Sequence, residues 1–389
     1  MYILGINISH HPSVALLKDG ELLFYLEDDR LNKIKEEEWN ADSKMHCFQY
    51  ISHYTRHIDH IIFSSVGKDT PYRVTDNVLV EWVKDRLDLY GIEYGESHLK
   101  HAGKMSGEYC EHHLYHATNA FYWSEFEEAA ALILDGSGVP VPFFPTSKEV
   151  ESTYYLSGTN IEEIGKNFSH FYFDGAGIEP SLKKPFRDGE YNKYTFSSTM
   201  SCGILFLSMC GVTGIDTPGK VMGISPYGNL EDAGDEEWFI YDEEVGIWIT
   251  DNETIFNNYN RCYEAGSTFN PLPHTQPALF HHFYKQKPDF NFQVAANLSK
   301  KLQVQTKNHT IRLIRELLEK VDTKNLVLSG GYFLHCVNNY EYVKEFPDVN
   351  FFIDPCAHDG GTSIGAARYL WHFVMKNEMR DPLKTLFLG

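Results

Sequence analysis

The sequence predicts an α/β protein of two lobes that holds its ligands at the carboxyl ends of strands. With 389 residues, the chain has the length of two domains or of one large bilobal unit. It opens with short apolar segments separated by turn residues, which is typical of a strand meander. Units of strand, glycine-bearing loop and helix then occur in both halves, as in α/β folds.

The N-terminal part of the chain predicts a meander of three strands. Residues 2–8, Val14–Leu17 and Leu22–Leu26 are apolar runs, and a turn at Asp19-Gly20 joins the last two. A polar, helical stretch follows, and His60–Ser65 predicts a fourth strand.

The later elements are predicted from periodicity, although residues 139–290 give few signals. The predicted segments are a helix over His112–Trp123, a strand over Ala129–Leu134, helices over Ser198–Cys210 and Phe292–Val321, strands over Asn325–Leu328 and Val349–Ile353, and a helix over Ser363–Met375. Short glycine-bearing loops follow strands at the start, at 135–138 and at 329–331. Such loops let backbone N–H groups approach phosphate oxygens, although strand ends are also rich in glycine for turn geometry alone.

Composition and charge exclude several classes of function. The seven scattered cysteines form no C-x-x-C pair, which predicts reduced thiols in a cytoplasmic protein and no zinc ribbon. No apolar stretch reaches membrane-spanning length. A net charge of −20 disfavours a nucleic acid polymer as partner, because such binders depend on Lys and Arg, and favours a small-molecule substrate.

A histidine pair is the first candidate for chemistry. His112 and His116 stand four residues apart, so a helix would place both imidazoles on one face, where they could chelate one cation. With 19 histidines, about one such pair is expected by chance. The chain indeed holds a second pair, His53 and His57, so spacing alone leaves both interpretations open.

Two aspartates strengthen the metal hypothesis. Asp135 ends a predicted strand, and Asp359 lies in a second strand-to-helix turn. Imidazole together with carboxylate suits Fe, Mn or Zn better than Mg or Ca. Helix capping or an Asx-turn would explain either aspartate, but neither would explain the histidine pair.

Three more residues are candidates for catalysis. His10 and His11 follow the first strand, where an imidazole could act as a general base near pH 7, or could be hydrogen-bonded within its loop. Lys220, in Gly219–Gly223, could meet a phosphate or a carbonyl oxygen, but a lone Gly-Lys pair is weak evidence and the chain has no Walker A pattern.

Together these motifs resemble the O-carbamoyltransferase family of the nodulation-factor and antibiotic-tailoring type. The same core occurs in the hydrogenase-maturation carbamoyltransferase and in the tRNA threonylcarbamoyl transferase. The matching segments keep the family order and are His10–Gly20, Glu27–Lys35, His112–Ala117, Asp135–Gly138, Gly219–Gly223, Ser329–Gly331 and Asp359–Gly361.

The resemblance implies a fold and a domain organisation. The expected fold is the bilobal actin/Hsp70/sugar-kinase-like (ASKHA) fold, with two mixed sheets flanked by helices and a nucleotide and metal cleft between them. Residues 1–195 would form the first lobe, which carries the histidine pair, and residues 196–389 the second, which carries nucleotide-binding loops. The family's C-terminal YrdC-like domain is expected to be absent from this chain.

The resemblance also implies a role for each matching residue. His112, His116, Asp135 and Asp359 would hold a divalent metal, with Fe²⁺ as the first choice and Mn²⁺ or Zn²⁺ as alternatives. His10 or His11 would act as base at the acceptor hydroxyl, and Lys220 would lie near the reacting centre. The residues expected against ATP or carbamoyl-adenylate, with Mg²⁺, are Gly136, Ser137, Gly138, Ser329, Gly330, Gly331 and Asn338.

The implied reaction has two steps. Carbamoyl phosphate and ATP give carbamoyl-adenylate, and the carbamoyl group then passes to a hydroxyl of a sugar, an antibiotic or a hydroxymethylated nucleotide. A separate YrdC-like domain could supply the adenylate, and a homodimer is compatible with the sequence.

The sequence departs from the family pattern at two positions, and two other functions stay open. His11 stands where the family has Asp, and His335 where it has Asn, although Asn338 follows. A small-molecule kinase of the same fold would use Mg²⁺ with oxygen ligands and would not need the histidine pair. A non-catalytic, nucleotide-dependent scaffold would bind nucleotide without His112 and His116.

Overall fold

The computed structural model describes most of the chain, with ten continuous segments. These are residues 1–34, 43–65, 76–94, 112–141, 144–169, 194–197, 199–243, 246–264, 290–382 and 384–385. Lys35, the last residue of the Glu27–Lys35 motif, lies outside the described residues, and so does Ser198, the first residue of a predicted helix.

The strands are mostly short, apart from one long hairpin in the middle of the chain. In order they are β1 (Tyr2–Asn7), β2 (Ser13–Lys18), β3 (Glu21–Glu27), β4 (His57–Ile58), β5 (His60–Ser64), β6 (Glu93–Tyr94), β7 (Glu128–Leu134), β8 (Pro140–Val141), β9 (Phe144–Ser157), β10 (Asn160–Ser169), β11 (Tyr194–Ser197), β12 (Phe239–Asp242), β13 (Ile247–Thr250), β14 (Asn325–Ser329) and β15 (Asn350–Ile353).

The helices range from one turn to eight. In order they are α1 (Asp29–Asn32), α2 (Phe48–Ile51), α3 (Asp76–Leu89), α4 (His112–Trp123), α5 (Cys202–Thr213), α6 (Pro218–Ile224), α7 (Leu230–Ala233), α8 (Asn252–Glu264), α9 (Phe292–Lys320), α10 (Cys336–Glu345) and α11 (Thr362–Arg368). Single 3₁₀ turns cover Ser225–Tyr227, Gly331–Leu334 and Asp359–Gly361.

The smaller of the two main sheets has the strand order β3-β2-β1-β5. β1 pairs antiparallel with β2 and parallel with β5. The β2–β3 turn places Asp19 at φ 50° and Gly20 at φ 88°, the positive values that a tight hairpin turn requires. The predicted meander and fourth strand are therefore confirmed.

The larger sheet has the order β11-β10-β9-β7-β14-β15, with β8 paired to β9. β7, β14 and β15 are parallel, whereas β9 and β10 form an antiparallel hairpin beside them. The sheet joins strands from both sides of residue 195, and the predicted lobe boundary there stays a prediction. An α/β protein with two mixed sheets flanked by helices is confirmed.

Two helices lie against each other and connect the sheets. α4 packs on the larger sheet through buried residues that include Leu114, Ala117 and Phe121. α11 packs on the smaller sheet and on α4. Gly365 permits this close approach, because a Cβ there would lie 1.8 Å from the carbonyl oxygen of Tyr115.

The observed helices correct the predicted ones in two places. The helix predicted over Ser198–Cys210 is α5, which begins after Ser201 because that side chain accepts a hydrogen bond from the N–H of Ile204 as an N-cap. The helix predicted over Ser363–Met375 changes to π geometry over Tyr369–Val374. At its end, the N–H of Met375 donates a hydrogen bond to the carbonyl oxygen of Leu370, five residues earlier.

Within the described segments, no single helix is both long and apolar enough to cross a bilayer. One bent pair, Cys202–Thr213 with Pro218–Tyr227, is long and apolar enough only when its two helices are taken together.

Candidate metal and nucleotide site

Four side chains from three separate parts of the chain converge at one buried point. His112 and His116 lie on α4, Asp135 follows β7, and Asp359 begins the 3₁₀ turn before α11. One ligand atom from each of the four lies within 4.8 Å of the others, and all four residues are buried. The structure therefore brings together the four residues predicted to bind metal.

The position of the histidines follows from helix geometry. α4 begins at His112, so the spacing of four residues places His112 and His116 on the same face. His113 points elsewhere, and its Nδ1 lies 2.8 Å from Ser152 Oγ. The second pair with this spacing, His53 and His57, is exposed, and His57 belongs to a strand.

His112 is central to the cluster. Its Nε2 lies 3.2 Å from His116 Nε2, 3.3 Å from Asp135 Oδ2 and 3.6 Å from Asp359 Oδ1. Asp359 Oδ1 is also 4.0 Å from His116 Nε2. The donor atoms thus face a common centre rather than forming separate pairs.

Charge and burial act against each other in this cluster. Burial opposes a charge on His112, but Asp359 and Asp135 outweigh it and raise the pKa of His112 to about 10. Burial and the charge of His112 lower the pKa of His116 to about 3. Burial raises the pKa of both carboxyls, but His112 outweighs it and holds the pKa of Asp135 and Asp359 below the usual range.

The donor set fits a transition-metal ion. In a tetrahedral site with metal–nitrogen bonds of about 2.0–2.1 Å, neighbouring ligand atoms lie about 3.3 Å apart. The separations of 3.2–3.6 Å around His112 Nε2 have this size, whereas the 4.0 Å between Asp359 Oδ1 and His116 Nε2 is wider. Two imidazoles and two carboxylates suit Fe, Mn or Zn.

Backbone and hydroxyl donors hold the two carboxylates in place. The N–H of Gly331 donates to Asp135 Oδ1 at 2.9 Å, and Ser9 Oγ donates to Asp359 Oδ2 at 3.1 Å. Gly330 has φ 100°, and a Cβ there would lie 2.2 Å from the carbonyl oxygen of Leu134. Only glycine allows the 329–331 loop to lie this close to the end of β7.

The loop after β7 is supported by a buried ion pair. Lys166 Nζ lies 2.5 Å from Glu149 Oε1, and Glu149 Oε2 accepts from the N–H of Val139. The N–H of Gly138 donates to the Glu149 carbonyl, and Ser201 Oγ donates to the carbonyl of Gly136. Gly136 and Ser137 are half-buried, at the side of Asp135.

Asp354 is a site residue that the sequence analysis missed. It is buried at the carboxyl end of β15, where burial raises its pKa to about 6. Its Oδ2 accepts from Ser329 Oγ at 2.7 Å and from Asn119 Nδ2 at 3.0 Å. An aspartate directly after a predicted parallel strand is the signal that could have identified it.

The structure also places His10 and His11 beside the cluster. Asn7 Nδ2 donates to both of their carbonyl oxygens, at 2.8 and 3.0 Å, and His11 has φ 56°. The charge of His10 helps to lower the pKa of Asp359, and the His11 ring lies 4.9 Å from that of His358. His358 Nε2 in turn lies 3.5 Å from Glu27 Oε1, a contact that the sequence analysis missed.

Lys220 and Asn338 have other partners. Lys220 is exposed on α6 beside an open cavity of about 820 Å³, and its Nζ lies 2.7 Å from Asp216 Oδ2. Asn338 is buried on α10, where its Nδ2 donates to the Gln303 carbonyl and to Tyr332 Oη.

Residues 2–368 of the chain match the Carbamoyltransferase N-terminus family. The match includes all four residues of the buried cluster.

The chain also resembles curated proteins that are longer than itself. It is 25% identical over 418 residues to the uncharacterized protein sll1178 of Synechocystis sp., covering 100% of the chain and 60% of the relative. It is 23% identical over 397 residues to the nodulation protein NolNO of Sinorhizobium fredii, covering 98% and 49%. To the nodulation protein NolO of Bradyrhizobium diazoefficiens it is 24% identical over 283 residues, covering 72% and 41%. The chain thus spans about half the length of these relatives.

Several solved structures resemble the chain over most of its length, with TM-scores below 0.5. A full-length HypF in the phosphate- and nucleotide-bound form gives a TM-score of 0.49 at 12% identity, covering 98% of the chain and 56% of HypF. The component A of the Acidaminococcus fermentans (R)-2-hydroxyglutaryl-CoA dehydratase gives 0.39 at 11% identity, covering 95% and 98%. A ROK family protein from Streptococcus pneumoniae gives 0.37 at 11% identity, covering 97% and 99%.

Proposed function

Because the chain belongs to the Carbamoyltransferase N-terminus family, we propose that it transfers a carbamoyl group to a hydroxyl of a small acceptor. The observation that carries the proposal is the buried cluster of His112, His116, Asp135 and Asp359 within a chain of this family. The donor is carbamoyl-adenylate, made from ATP and carbamoyl phosphate. The acceptor is a sugar, an antibiotic or a hydroxymethylated nucleotide.

The cluster is proposed to hold one divalent cation, Fe²⁺ first and Mn²⁺ or Zn²⁺ as alternatives. The support is the convergence of four donor atoms within 4.8 Å and the chemistry of the donor set. When bound, this cation would act as a Lewis acid that stabilises negative charge on the leaving phosphate.

The nucleotide is proposed to lie against the loops on either side of Asp135. Residues 136–138 follow it directly, and the 329–331 loop touches it through the N–H of Gly331. Loops without bulky side chains allow phosphate oxygens to approach backbone N–H groups. Mg²⁺ would accompany ATP here. Asn338 is a less direct candidate, because its amide nitrogen is already used within the protein.

In the transfer step, the acceptor oxygen forms a bond to the carbamoyl carbon. The bond between that carbon and the AMP oxygen breaks, and AMP leaves with the electron pair. The hydroxyl proton passes to a base, for which His10 and His11 are the candidates. Both are half-buried, His10 near Asp359 and His11 against His358. Lys220 could contribute only if substrate displaces it from Asp216.

The proposal is tested by following both the label and the nucleotide. Purified protein is incubated with ATP, labelled carbamoyl phosphate and a panel of hydroxyl acceptors, with and without an added YrdC-like domain. Label in an acceptor together with AMP is the expected result. ADP with a phosphorylated acceptor would establish a kinase instead, and nucleotide binding without any transfer would establish a scaffold.

Three finer expectations belong to the same proposal. They are a separate YrdC-like domain that supplies the adenylate, a homodimeric state and a cytoplasmic location. Dependence of transfer on the added domain tests the first, and sedimentation of the purified protein tests the second.

A further inference from the structure

We propose that Asp354 and Ser329 are positioning residues that fix the tautomer of His116. They act through two successive hydrogen bonds, between Asp354 and Ser329 and between Ser329 and His116, which together form the Asp354 relay. The inference deepens the proposed function and rests on its metal site.

Asp354 anchors the relay. It is buried, and its Oδ1 accepts from the N–H of Cys356 at 2.9 Å. Its Oδ2 accepts from Asn119 Nδ2 at 3.0 Å and from Ser329 Oγ at 2.7 Å. Three donors therefore point at one carboxylate, which fixes it as an acceptor and ties together α4, the end of β14 and the segment after β15.

Because Asp354 accepts the proton of the Ser329 hydroxyl, Ser329 can serve His116 only as a hydrogen-bond acceptor. A serine hydroxyl has a single proton, and here it points to Asp354, so toward any other partner Oγ can only accept. His116 Nδ1 lies 3.4 Å from Ser329 Oγ. The proton of a neutral His116 therefore belongs on Nδ1, which leaves the lone pair of Nε2 free.

The free lone pair faces the metal cluster. His116 Nε2 lies 3.2 Å from His112 Nε2 and 4.0 Å from Asp359 Oδ1. Outer partners that orient a ligating imidazole in this way typically change metal affinity by about 10–100-fold when removed. The same helix offers a matched comparison, because His113 bonds Ser152 through Nδ1 but lies outside the cluster.

The first experiment uses the metal-free wild-type protein. With ¹⁵N-labelled histidine, NMR reports which ring nitrogen carries the proton, and a His116→Gln variant assigns the resonance. We expect His116 to be protonated on Nδ1 and free at Nε2. A proton on Nε2 would overturn the proposal, and no variant other than the assignment control is needed.

The second experiment measures metal affinity. The metal-free protein is titrated with Zn²⁺ against a competing chelator, for wild type, Ser329→Ala, Asp354→Asn and the control Ser152→Ala. We expect the first two variants to bind about 10–100-fold more weakly and Ser152→Ala to stay within about twofold of wild type. Wild-type affinity in Ser329→Ala, or an equal loss in Ser152→Ala, would contradict the relay.

Failure of the relay can be distinguished from failure of the metal site. If the wild-type protein binds no Zn²⁺, Fe²⁺ or Mn²⁺, the metal part of the proposed function is wrong, and the NMR experiment still decides the tautomer. Thermal unfolding establishes that each variant is folded. If Asp354→Asn does not fold, Ser329→Ala carries the test, because it removes a single oxygen atom.

Discussion

At the scale of single residues, the buried cluster combines two carboxylates with two imidazoles whose pKa values are shifted in opposite directions. The pKa of His112 is raised to about 10, whereas the pKa of His116 is lowered to about 3. His112 therefore carries one positive charge, which faces the carboxylates of Asp135 and Asp359. With both imidazoles neutral, the two charges of a divalent cation would balance the two carboxylates, so the charge of the cluster suits a metal.

Replacing Asp359 by Asn removes one charge and one oxygen ligand from the cluster. Removal of a residue that only hydrogen-bonds a metal ligand weakens metal binding by about 10–100-fold. We expect Asp359→Asn, which changes a ligand itself, to weaken Zn²⁺ binding by at least as much. Competition with a chelator measures this. Asp19→Asn is the control, since Asp19 pairs with the N-terminal amine at the surface. Equal affinity in the two variants would exclude Asp359 as a ligand.

The residue scale also shows what the sequence could predict about the site. His112, His116, Asp135 and Asp359 could be predicted because each stands at a recognisable helix face or strand end. The contact of Glu27 with His358 could not, since the two residues lie far apart in sequence. Asp354 was missed although it directly follows a parallel strand. Spacing alone would have given equal standing to His53 and His57, which are exposed.

At the scale of elements, the 329–331 loop depends on Gly330. An alanine there would need φ near 100° and a Cβ 2.2 Å from the Leu134 carbonyl. A left-handed conformation alone costs alanine about 1–2 kcal/mol. We expect Gly330→Ala to lower the free energy of unfolding by more than this amount. Urea unfolding measures the loss. Gly158→Ala is the matched control, because Gly158 has φ 55° and no atom within 4 Å of its would-be Cβ; equal losses would contradict the account.

The buried pair of Lys166 and Glu149 stabilises the loop after β7. Lys166→Met leaves the Glu149 carboxylate buried without its partner, so we expect a loss of about 3–5 kcal/mol in the free energy of unfolding. In the double variant Glu149→Gln/Lys166→Met part of this loss should be recovered. Urea unfolding of both variants tests the pair, and a double variant no more stable than Lys166→Met would argue against it.

The same pair gives a pH dependence. Burial raises the pKa of Glu149, but Lys166 outweighs it and lowers the folded-state pKa below the ordinary value of 4.5. The stabilisation is therefore present above about pH 4.5 and lost as the pH falls through the lowered folded-state value. The difference in unfolding free energy between wild type and the double variant should shrink on acidification.

Element prediction succeeded where apolar residues follow a regular period. The ends of α4 agree with the predicted His112–Trp123, and β7 and β14 differ from prediction by one residue. The β9–β10 hairpin was missed because Lys148, Glu149, Glu151 and Lys166 are buried within it. Glu149 pairs with Lys166 and Glu151 with His309 in the interior. Buried charged residues hide the alternation by which a strand is recognised.

At the scale of the whole molecule, family membership and two mixed sheets flanked by helices support the bilobal class of fold. The larger sheet combines β7–β11 with β14 and β15, which are more than a hundred residues apart in sequence. The lobe boundary at residue 195, which the family resemblance implies, stays a prediction. The four side chains of the buried cluster come from α4, the loop after β7 and the turn before α11.

The central claim is that this cluster carries carbamoyl transfer, and comparing two double variants tests it most directly. Transfer of labelled carbamoyl groups to the best acceptor is measured for wild type, His112→Ala/His116→Ala and His53→Ala/His57→Ala. The account predicts that the first variant loses activity by at least about 100-fold, as expected when a metal site is removed, while the second retains it within about twofold. Unchanged transfer in folded His112→Ala/His116→Ala protein would contradict the account.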